Sequence, residues 1–185
     1  MKLEHVPNLL TLTRILMIPA MIWLLLAPTK DSLFTVAILF IIASITDYLD
    51  GWVARRYDLV STLGKFLDPI SDKLLVSSLL IMLIPLEVVS PVLVILLISR
   101  DILIDGLRAV AASERIIISA GQLGKWKTAI QMFCIPAVLI SDPKIFNFSV
   151  GELGILGLWF SVLLSILSGL EYTKLYLVKR KKAKT

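Results

Sequence analysis

The chain has 185 residues, enough for one domain, and 57% of them are hydrophobic. Soluble domains contain about 45–50% apolar residues, so the composition indicates a protein that is surrounded by lipid. The net charge is +5, but outside the tail at 179–182 there is no basic motif, which excludes a nucleic-acid-binding protein. The single cysteine, Cys134, excludes an internal disulfide.

The apolar segments predict six membrane-spanning helices. A helix needs about 20 mostly apolar residues to cross a bilayer. Six segments meet this requirement, at 7–27, 33–55, 62–84, 91–112, 122–140 and 152–177. The connections are short and carry turn residues. We therefore predict an all-α polytopic membrane protein, with residues 1–185 forming one six-helix bundle. We interpret the first segment as a retained helix, because it lacks a signal-peptide cleavage site.

Basic residues are distributed unequally between the two ends of these helices. With the N-terminus inside, the cytoplasmic ends and loops contain 17 Lys and Arg, whereas the outer loops contain only Lys30 and Lys144. Cytoplasmic loops of membrane proteins carry an excess of positive charge. We therefore predict that both termini face the cytoplasm and that the protein lies in the cytoplasmic (inner) membrane. The basic tail is then an anchor against anionic headgroups.

Ionisable residues inside the predicted spans lie at the cytoplasmic ends of the first five helices. Such residues are costly in a membrane and usually face the bundle interior or a water-filled cavity. They are Arg14, Asp47, Asp50, Arg55, Lys65, Asp68, Asp72, Lys73, Arg100, Asp101, Asp105, Arg108, Lys125 and Lys127. We therefore predict a polar cavity that opens toward the cytoplasm and contains the active site.

Four aspartates form two pairs on consecutive predicted helices. Asp47 and Asp50 are three residues apart, and Asp68 and Asp72 are four apart, so each pair lies on one helical face. The short loop between these helices predicts that they are antiparallel neighbours with the pairs facing each other. Clustered carboxylates need a counter-charge, and two Mg²⁺ or Mn²⁺ ions about 4 Å apart would suit phosphate chemistry. The alternative is salt bridges to the nearby basic residues Arg55, Lys65 and Lys73.

Small residues lie beside the acidic faces. Gly51 follows Asp50, and Gly64 is four residues before Asp68. A glycine inside a helix costs about 1 kcal/mol relative to alanine, so its presence needs a reason. The reason is either close helix packing or space for a ligand beside the metal. Pro69 removes a backbone donor and can bend the third helix.

The segment 47–72 reads D-x2-D-G-x2-A-R-x8-G-x3-D-x3-D and resembles the signature of the CDP-alcohol phosphotransferase family at every fixed position. The resemblance implies six membrane helices, a homodimer and a divalent metal ion, Mg²⁺ or Mn²⁺. It implies that Asp47, Asp50 and Asp68 are metal ligands, and that Asp72 contacts metal and is the general base. It also implies that the CDP-lipid binds at Asp47, Asp50, Gly51, Ala54, Arg55 and Gly64.

Three further segments, at 7–14, 99–108 and 124–131, are similar to the bacterial branch of that family that uses glycerol 3-phosphate. This resemblance implies transfer of a phosphatidyl group from CDP-diacylglycerol to glycerol 3-phosphate, giving phosphatidylglycerol phosphate and CMP. Two positions depart from the branch, which usually has glutamate at Asp101 and seldom an acid at Asp105.

Basic residues at the ends of the fourth and fifth predicted helices suit a phosphorylated acceptor. Glycerol 3-phosphate is a dianion, so binding it in a cavity lined by aspartates requires nearby cations, and arginine offers bidentate contacts to phosphate. The predicted acceptor-phosphate residues are Arg108, Lys125, Arg115 and Arg100. Alternative roles are an anchor at the membrane interface and an internal ion pair between Asp105 and Arg108.

Other functions remain as alternatives. The same chemistry with phosphatidylglycerol, inositol phosphate or serine as acceptor would keep the enzyme class. A cation transporter would also place acidic residues in membrane helices, but it should carry them through the whole bilayer depth. Here the charges stop in the cytoplasmic half, which favours the enzyme, and metal-dependent release of CMP would distinguish the two.

Overall fold

A computed structural model describes residues 6–56, 62–118, 121–140, 144–145 and 148–184, with side chains at 11–47, 49, 67–118, 121–140 and 149–182. The described residues form six α-helices joined by short connections. In chain order they are α1 (Val6–Leu26), α2 (Lys30–Arg56), α3 (Thr62–Leu83), α4 (Pro91–Ser113), α5 (Gln122–Ile140) and α6 (Val150–Lys184). Two short strands, β1 (Lys144–Ile145) and β2 (Phe148–Ser149), form an antiparallel ribbon before α6.

All six predicted helices are present, and the largest difference is at the end of the sixth. The prediction ends that helix at 177, whereas α6 continues through the basic tail to Lys184. The tail contains only residues that a helix accepts, and neither glycine nor proline follows Gly169. The ribbon of β1 and β2 occupies part of a connection for which the sequence predicts only a turn.

Local features of the sequence fix the starts of α6 and α4. The backbone N–H of Glu152 donates to Ser149 Oγ at 3.1 Å, and Glu152 Oε2 accepts from the Ser149 N–H at 2.8 Å. This reciprocal capping box satisfies donors that the first turn of α6 leaves free. At α4, Ser90 has extended backbone angles and Pro91 occupies the first helical position, where its missing N–H has no cost.

Helix α1 packs against both α2 and α3, and these two helices contact each other much less than either contacts α1. The most extensive helix pair is α5 with α6, while α2 packs on α5 and α4 packs on α6. Direct packing of α2 on α3, predicted from their short loop, is therefore a minor contact among the described residues. The first helix provides most of the surface that holds the two aspartate-bearing helices together.

The described side chains have apolar residues on the outside as well as in the core. Large hydrophobic side chains on the outer surface include Trp23, which is 74% exposed, and Phe133, which is 80% exposed. Several polar side chains are instead buried: Thr11, Arg14, Ser71, Lys127, Gln131, Ser161, Ser165 and Ser168. A soluble domain buries few charged residues and rarely exposes so many large apolar side chains.

One helical stretch in the described part of the chain, Val150–Lys182, is long and apolar enough to cross a membrane. A shorter apolar helical stretch occupies Thr11–Leu26. Helix α4 carries four charged residues within its length, Arg100, Asp101, Asp105 and Arg108. These charges face the interior site described below rather than marking a break in the helix.

Candidate active site

A cavity of about 670 Å³ lies between helices α2 to α6. Its volume is within the range of about 300–1,000 Å³ that is usual for small-molecule sites. The described lining carries five acidic side chains (Asp47, Asp72, Asp101, Asp105 and Glu171) and five basic ones (Lys73, Arg100, Arg108, Lys125 and Lys127). A cavity with this balance of charge becomes net positive when it binds a divalent cation, which would favour anionic substrates.

Two of the four predicted metal ligands, Asp47 on α2 and Asp72 on α3, line this cavity. The negative charges of Asp47 and Asp72 repel each other. The positive charges of Arg14, Lys127 and Lys73 lie near enough to Asp72 to attract its carboxylate. The prediction that carboxylates of the second and third helices approach one another therefore agrees with the position of this pair.

Arg14 of α1 holds the acidic side of the cavity in place. Its side chain is 1% exposed, and Nη1 lies 2.5 Å from the Asp47 carboxylate. The same nitrogen donates to Ser71 Oγ at 2.9 Å, and Nε donates to the Ala43 carbonyl at 3.3 Å. One buried guanidinium therefore joins α1 to both α2 and α3, next to the residues that line the cavity.

Asp68 lies against α1 and is not one of the cavity-lining residues. Its carboxylate accepts a hydrogen bond from the buried hydroxyl of Thr11 at 2.8 Å. The Asp50 side chain is outside the described residues. Among the signature residues whose side chains the structure describes, Asp47 and Asp72 are the two that line the cavity.

Several predicted CDP-lipid residues fall outside the described side chains. Gly51, Ala54 and Arg55 belong to the last turns of α2, and Gly64 belongs to the first turn of α3. Their predicted role in binding the nucleotide and diphosphate stays a prediction, as does the role of Asp50.

The donor set is suited to a hard divalent cation. Asp47 and Asp72 both line the cavity and present carboxylate oxygens, the ligand type that Mg²⁺ and Mn²⁺ prefer. Among the side chains that are described, no three acidic, histidine or cysteine residues lie close enough together to hold a metal ion. The carboxylates of Asp47 and Asp72 have the chemistry of cation ligands, and the metal site itself stays a prediction, as does the full set of four aspartates.

The predicted acceptor-phosphate residues separate into two groups. Arg108 and Lys125 line the cavity and are exposed, with the Arg108 guanidinium 5.6 Å from the centre of the Tyr172 ring. Arg100 also lines it, but its Nε and Nη2 donate to α6. Arg115 lies in the turn after α4, with a φ of 57°, and is not among the residues lining the cavity.

The contacts of Arg100 give it a structural role. Its Nε donates to the Ser165 carbonyl and its Nη2 donates to Ser168 Oγ, both at 2.8 Å. Its Nη1 lies 3.1 Å from Asp101. With these donors engaged, Arg100 fastens α4 to α6 beside the cavity.

Two ion pairs across the cavity were not expected from the sequence. Lys73 of α3 pairs with Asp105 of α4, and Lys127 of α5 pairs with Asp101 of α4. Lys73 therefore forms no ion pair with Asp68 or Asp72, the described signature aspartates on its own helix. Asp105 pairs with Lys73 rather than with Arg108, so the alternative internal pair on α4 is not present.

Helix α6 contributes Ser168, Glu171 and Tyr172 to the cavity, and the sequence reasoning missed all three. A detectable signal was present, because Ser161, Ser165, Ser168 and Tyr172 recur at helical spacing in an otherwise apolar span and are buried together. A polar stripe of this kind within an apolar helix indicates a face that is turned toward an interior site.

Residues 4–167 match the model of a family described as CDP-alcohol phosphatidyltransferase, and the chain belongs to this family. The chain is therefore an enzyme, a transferase of phospholipid biosynthesis, as the signature predicted.

Relatives from several bacteria are similar to the chain over most of its length. It is 40% identical over 182 residues to a Bacillus subtilis protein, covering 91% of this chain and 93% of the relative. It is 36% identical over 172 residues to a Rickettsia typhi protein, covering 93% and 97%, and 32% identical over 172 residues to a Haemophilus influenzae protein, covering 91% of each. All three relatives are named CDP-diacylglycerol--glycerol-3-phosphate 3-phosphatidyltransferase.

Proposed function

We propose that this protein transfers the phosphatidyl group of CDP-diacylglycerol to sn-glycerol 3-phosphate and releases CMP. The observation that carries the proposal is the cavity itself, where the signature carboxylates Asp47 and Asp72 share one space with the cations Arg108 and Lys125. The names of relatives that match along most of the chain support the same two substrates.

Asp47, Asp50, Asp68 and Asp72 would hold Mg²⁺ or Mn²⁺, in two sites if all four aspartates participate. A bound divalent cation would neutralise the diphosphate and the negative charge that develops on departing CMP. Gly51, Ala54, Arg55 and Gly64 would bind the nucleotide end of the lipid substrate beside this site. Apolar lining residues such as Leu80 and Leu97 are suited to the lipid part.

Asp72 would accept the proton of the attacking alcohol. The oxygen of the 1-hydroxyl group of glycerol 3-phosphate attacks the phosphorus that carries the diacylglycerol. The bond from that phosphorus to the CMP oxygen breaks, CMP leaves with the electron pair, and the hydroxyl proton goes to Asp72. General-base catalysis requires the base within hydrogen-bond reach of the hydroxyl, so Asp72 must face the acceptor across the cavity.

The phosphate of the acceptor would bind to Arg108 and Lys125. Both side chains reach the cavity from a position that is exposed in the structure. Cations that are accessible in this way can attract a dianion from solution and then hold it by charge-assisted hydrogen bonds. Arg100 would act by fixing α4 against α6, and Arg115 would lie outside the acceptor site.

The proposed setting is the cytoplasmic membrane, with six spans and both termini and the cavity mouth on the cytoplasmic side. Exposed apolar side chains on the outer faces of several helices support burial in lipid, as do the charged side chains gathered inside. A homodimer, implied by the family signature, is part of the proposal.

Cysteine labelling would test the sidedness. In a Cys134→Ala background, Lys30→Cys and Lys144→Cys should react with a membrane-impermeant maleimide in intact cells. Arg115→Cys should react only after the membrane is permeabilised. Labelling of Arg115→Cys in intact cells would contradict the proposed orientation.

Acceptor profiling would test the reaction. Purified protein with CDP-diacylglycerol and Mg²⁺ or Mn²⁺ should release CMP rapidly with glycerol 3-phosphate, and far more slowly with serine, inositol phosphate or phosphatidylglycerol. Faster release with one of these alcohols would identify that alcohol, rather than glycerol 3-phosphate, as the acceptor. No metal-dependent CMP release with any of them would overturn the proposed function.

A further inference from the structure

Gln131 is a buried polar residue at the cavity that the mechanism above does not use. It lies on α5, is 2% exposed and lines the cavity. Its side-chain amide nitrogen, Nε2, is buried and has no hydrogen-bond partner among the described residues. A buried donor without a partner destabilises a fold, and a methionine or leucine would fill the same space without that cost. The amide therefore indicates a ligand that supplies the missing acceptor.

The neighbours of Gln131 on α5 define where that ligand would be. Lys127 lies one turn before Gln131 on the same helical face, is buried, and pairs with Asp101. The charge of Lys127 also acts on Asp72 across the cavity. Lys125, nearer the start of α5, is exposed. Along this helix the cavity lining therefore passes from an accessible cation, Lys125, through a buried cation, Lys127, to a buried neutral donor, Gln131.

We propose that Gln131 is a specificity-determining residue, whose Nε2 donates a hydrogen bond to the 2-hydroxyl of the acceptor alcohol. The inference rests on the proposed function. In glycerol 3-phosphate the 2-hydroxyl lies between the attacking 1-hydroxyl, assigned to Asp72, and the phosphate, assigned to Arg108 and Lys125. A neutral amide suits a neutral hydroxyl, whereas the dianionic phosphate is matched by the cations.

This arrangement would let the enzyme select a vicinal diol phosphate. A site that is built to bond a substrate hydroxyl discriminates against an analogue that lacks it, because the donor then stays buried without a partner. The matching analogue is 3-hydroxypropyl phosphate, which keeps the primary hydroxyl and the phosphate and lacks only the 2-hydroxyl.

The test compares these two acceptors in wild type and in Gln131→Met. Wild type should prefer glycerol 3-phosphate by about tenfold in kcat/KM. Gln131→Met should lose most of that preference, through a higher KM for glycerol 3-phosphate with an unchanged KM for CDP-diacylglycerol. Gln131→Glu, which has the same length but no donor when ionised, should lose it as well.

The matched control is Gln122→Met, the same substitution at the other glutamine of the chain, which is exposed and does not line this cavity. It should keep the wild-type preference. Gln131→Met should melt at the wild-type temperature or above, since it removes an unpartnered buried amide.

Three results would overturn the assignment. They are an unchanged acceptor preference in Gln131→Met, a raised KM for CDP-diacylglycerol alone, and a preference that Gln122→Met loses equally. If wild type uses neither acceptor but releases CMP with another alcohol, the proposed function fails first, and this inference fails with it.

Discussion

The guanidinium of Arg14 on α1 lies 2.5 Å from the carboxylate of Asp47 on α2, in a position where the arginine is 1% exposed and the aspartate 35%. The pair links the best-buried cation among the described side chains to an aspartate that lines the cavity. Because little water reaches the arginine, breaking this ion pair is costly. Arg14 is therefore a positioning residue for Asp47.

Replacing Arg14 should affect both stability and activity. Arg14→Met should reduce the free energy of unfolding by about 3 kcal/mol, because it removes the ion pair of the buried guanidinium with Asp47 and its hydrogen bond to Ser71. Activity should fall as Asp47 loses its orientation. Thermal unfolding in detergent and CMP release measure the two effects. The double variant with Asp47→Asn should lose less stability than the sum of the single variants, and strict additivity would contradict the coupling.

Asp72→Asn should separate binding from turnover. The amide keeps the size of the carboxylate but cannot accept the proton of the attacking hydroxyl, and loss of a general base lowers rates by about a hundredfold or more. CDP-diacylglycerol binding, followed by equilibrium titration, should persist. Near-normal turnover would show that Asp72 is not the general base.

The control for this variant is Asp31→Asn, which makes the same chemical change at an exposed acid in the first turn of α2. Asp31 is not among the residues lining the cavity, so turnover should stay at the wild-type rate. A similar loss in both variants would point to a general effect of charge rather than to Asp72.

Much of the helical architecture could be predicted because it depends on local properties of the sequence. A run of about 20 apolar residues predicts a long helix whatever that helix packs against, and proline, glycine and serine mark the connections. The family signature is likewise local, since it occupies 26 consecutive positions, 47–72.

The order in which helices pack could not be read in the same way. Loop length predicted α2 directly against α3, but α1 contacts both more extensively, since Arg14 and Thr11 bond to residues 29 to 57 positions away. The partners of the ion pairs could not be predicted from the sequence for the same reason. Lys73 and Asp105 come from different helices, and helical spacing describes only pairs within one helix.

The two ion pairs that involve α4 should differ in their contribution to the stability of the fold. Both partners of the Lys73–Asp105 pair are about 40% exposed, whereas Lys127, which pairs with Asp101, is 5% exposed. Exposed pairs contribute about 1 kcal/mol or less, and a buried cation that loses its partner costs several times more. Asp101→Asn should therefore lower the melting temperature more than Asp105→Asn.

The variant Asp105→Asn should also change substrate binding. Asp105→Asn leaves the charge of Lys73 uncompensated in the cavity, so the KM for the anionic acceptor should fall. An increase in that KM would contradict the view that Asp105 opposes the acceptor charge. Equal loss of stability in the two variants would contradict the dependence on burial.

Metal removal should abolish the reaction. The described lining of the cavity has equal numbers of acidic and basic side chains, so an anionic diphosphate gains little from it without an added cation. Chelation with EDTA should stop CMP release, and excess Mg²⁺ or Mn²⁺ should restore it. Asp47→Asn should require about tenfold more metal for half-maximal activity if Asp47 is a ligand, whereas Asp31→Asn should not. Full activity in EDTA would refute the metal assignment.

The cations at the cavity should differ in their effect on the acceptor. Lys125 and Arg108 line the cavity, whereas Arg115 lies in the turn beyond α4. Lys125→Met and Arg108→Gln should each raise the KM for glycerol 3-phosphate by about tenfold, the loss of one charge-assisted phosphate contact, with the KM for CDP-diacylglycerol unchanged. Arg115→Gln removes the same charge outside the cavity and should leave both KM values at wild type. If Arg115→Gln weakens acceptor binding as much as Lys125→Met does, the phosphate instead responds to the general positive potential of this end of the bundle, and the assignment to Lys125 and Arg108 fails.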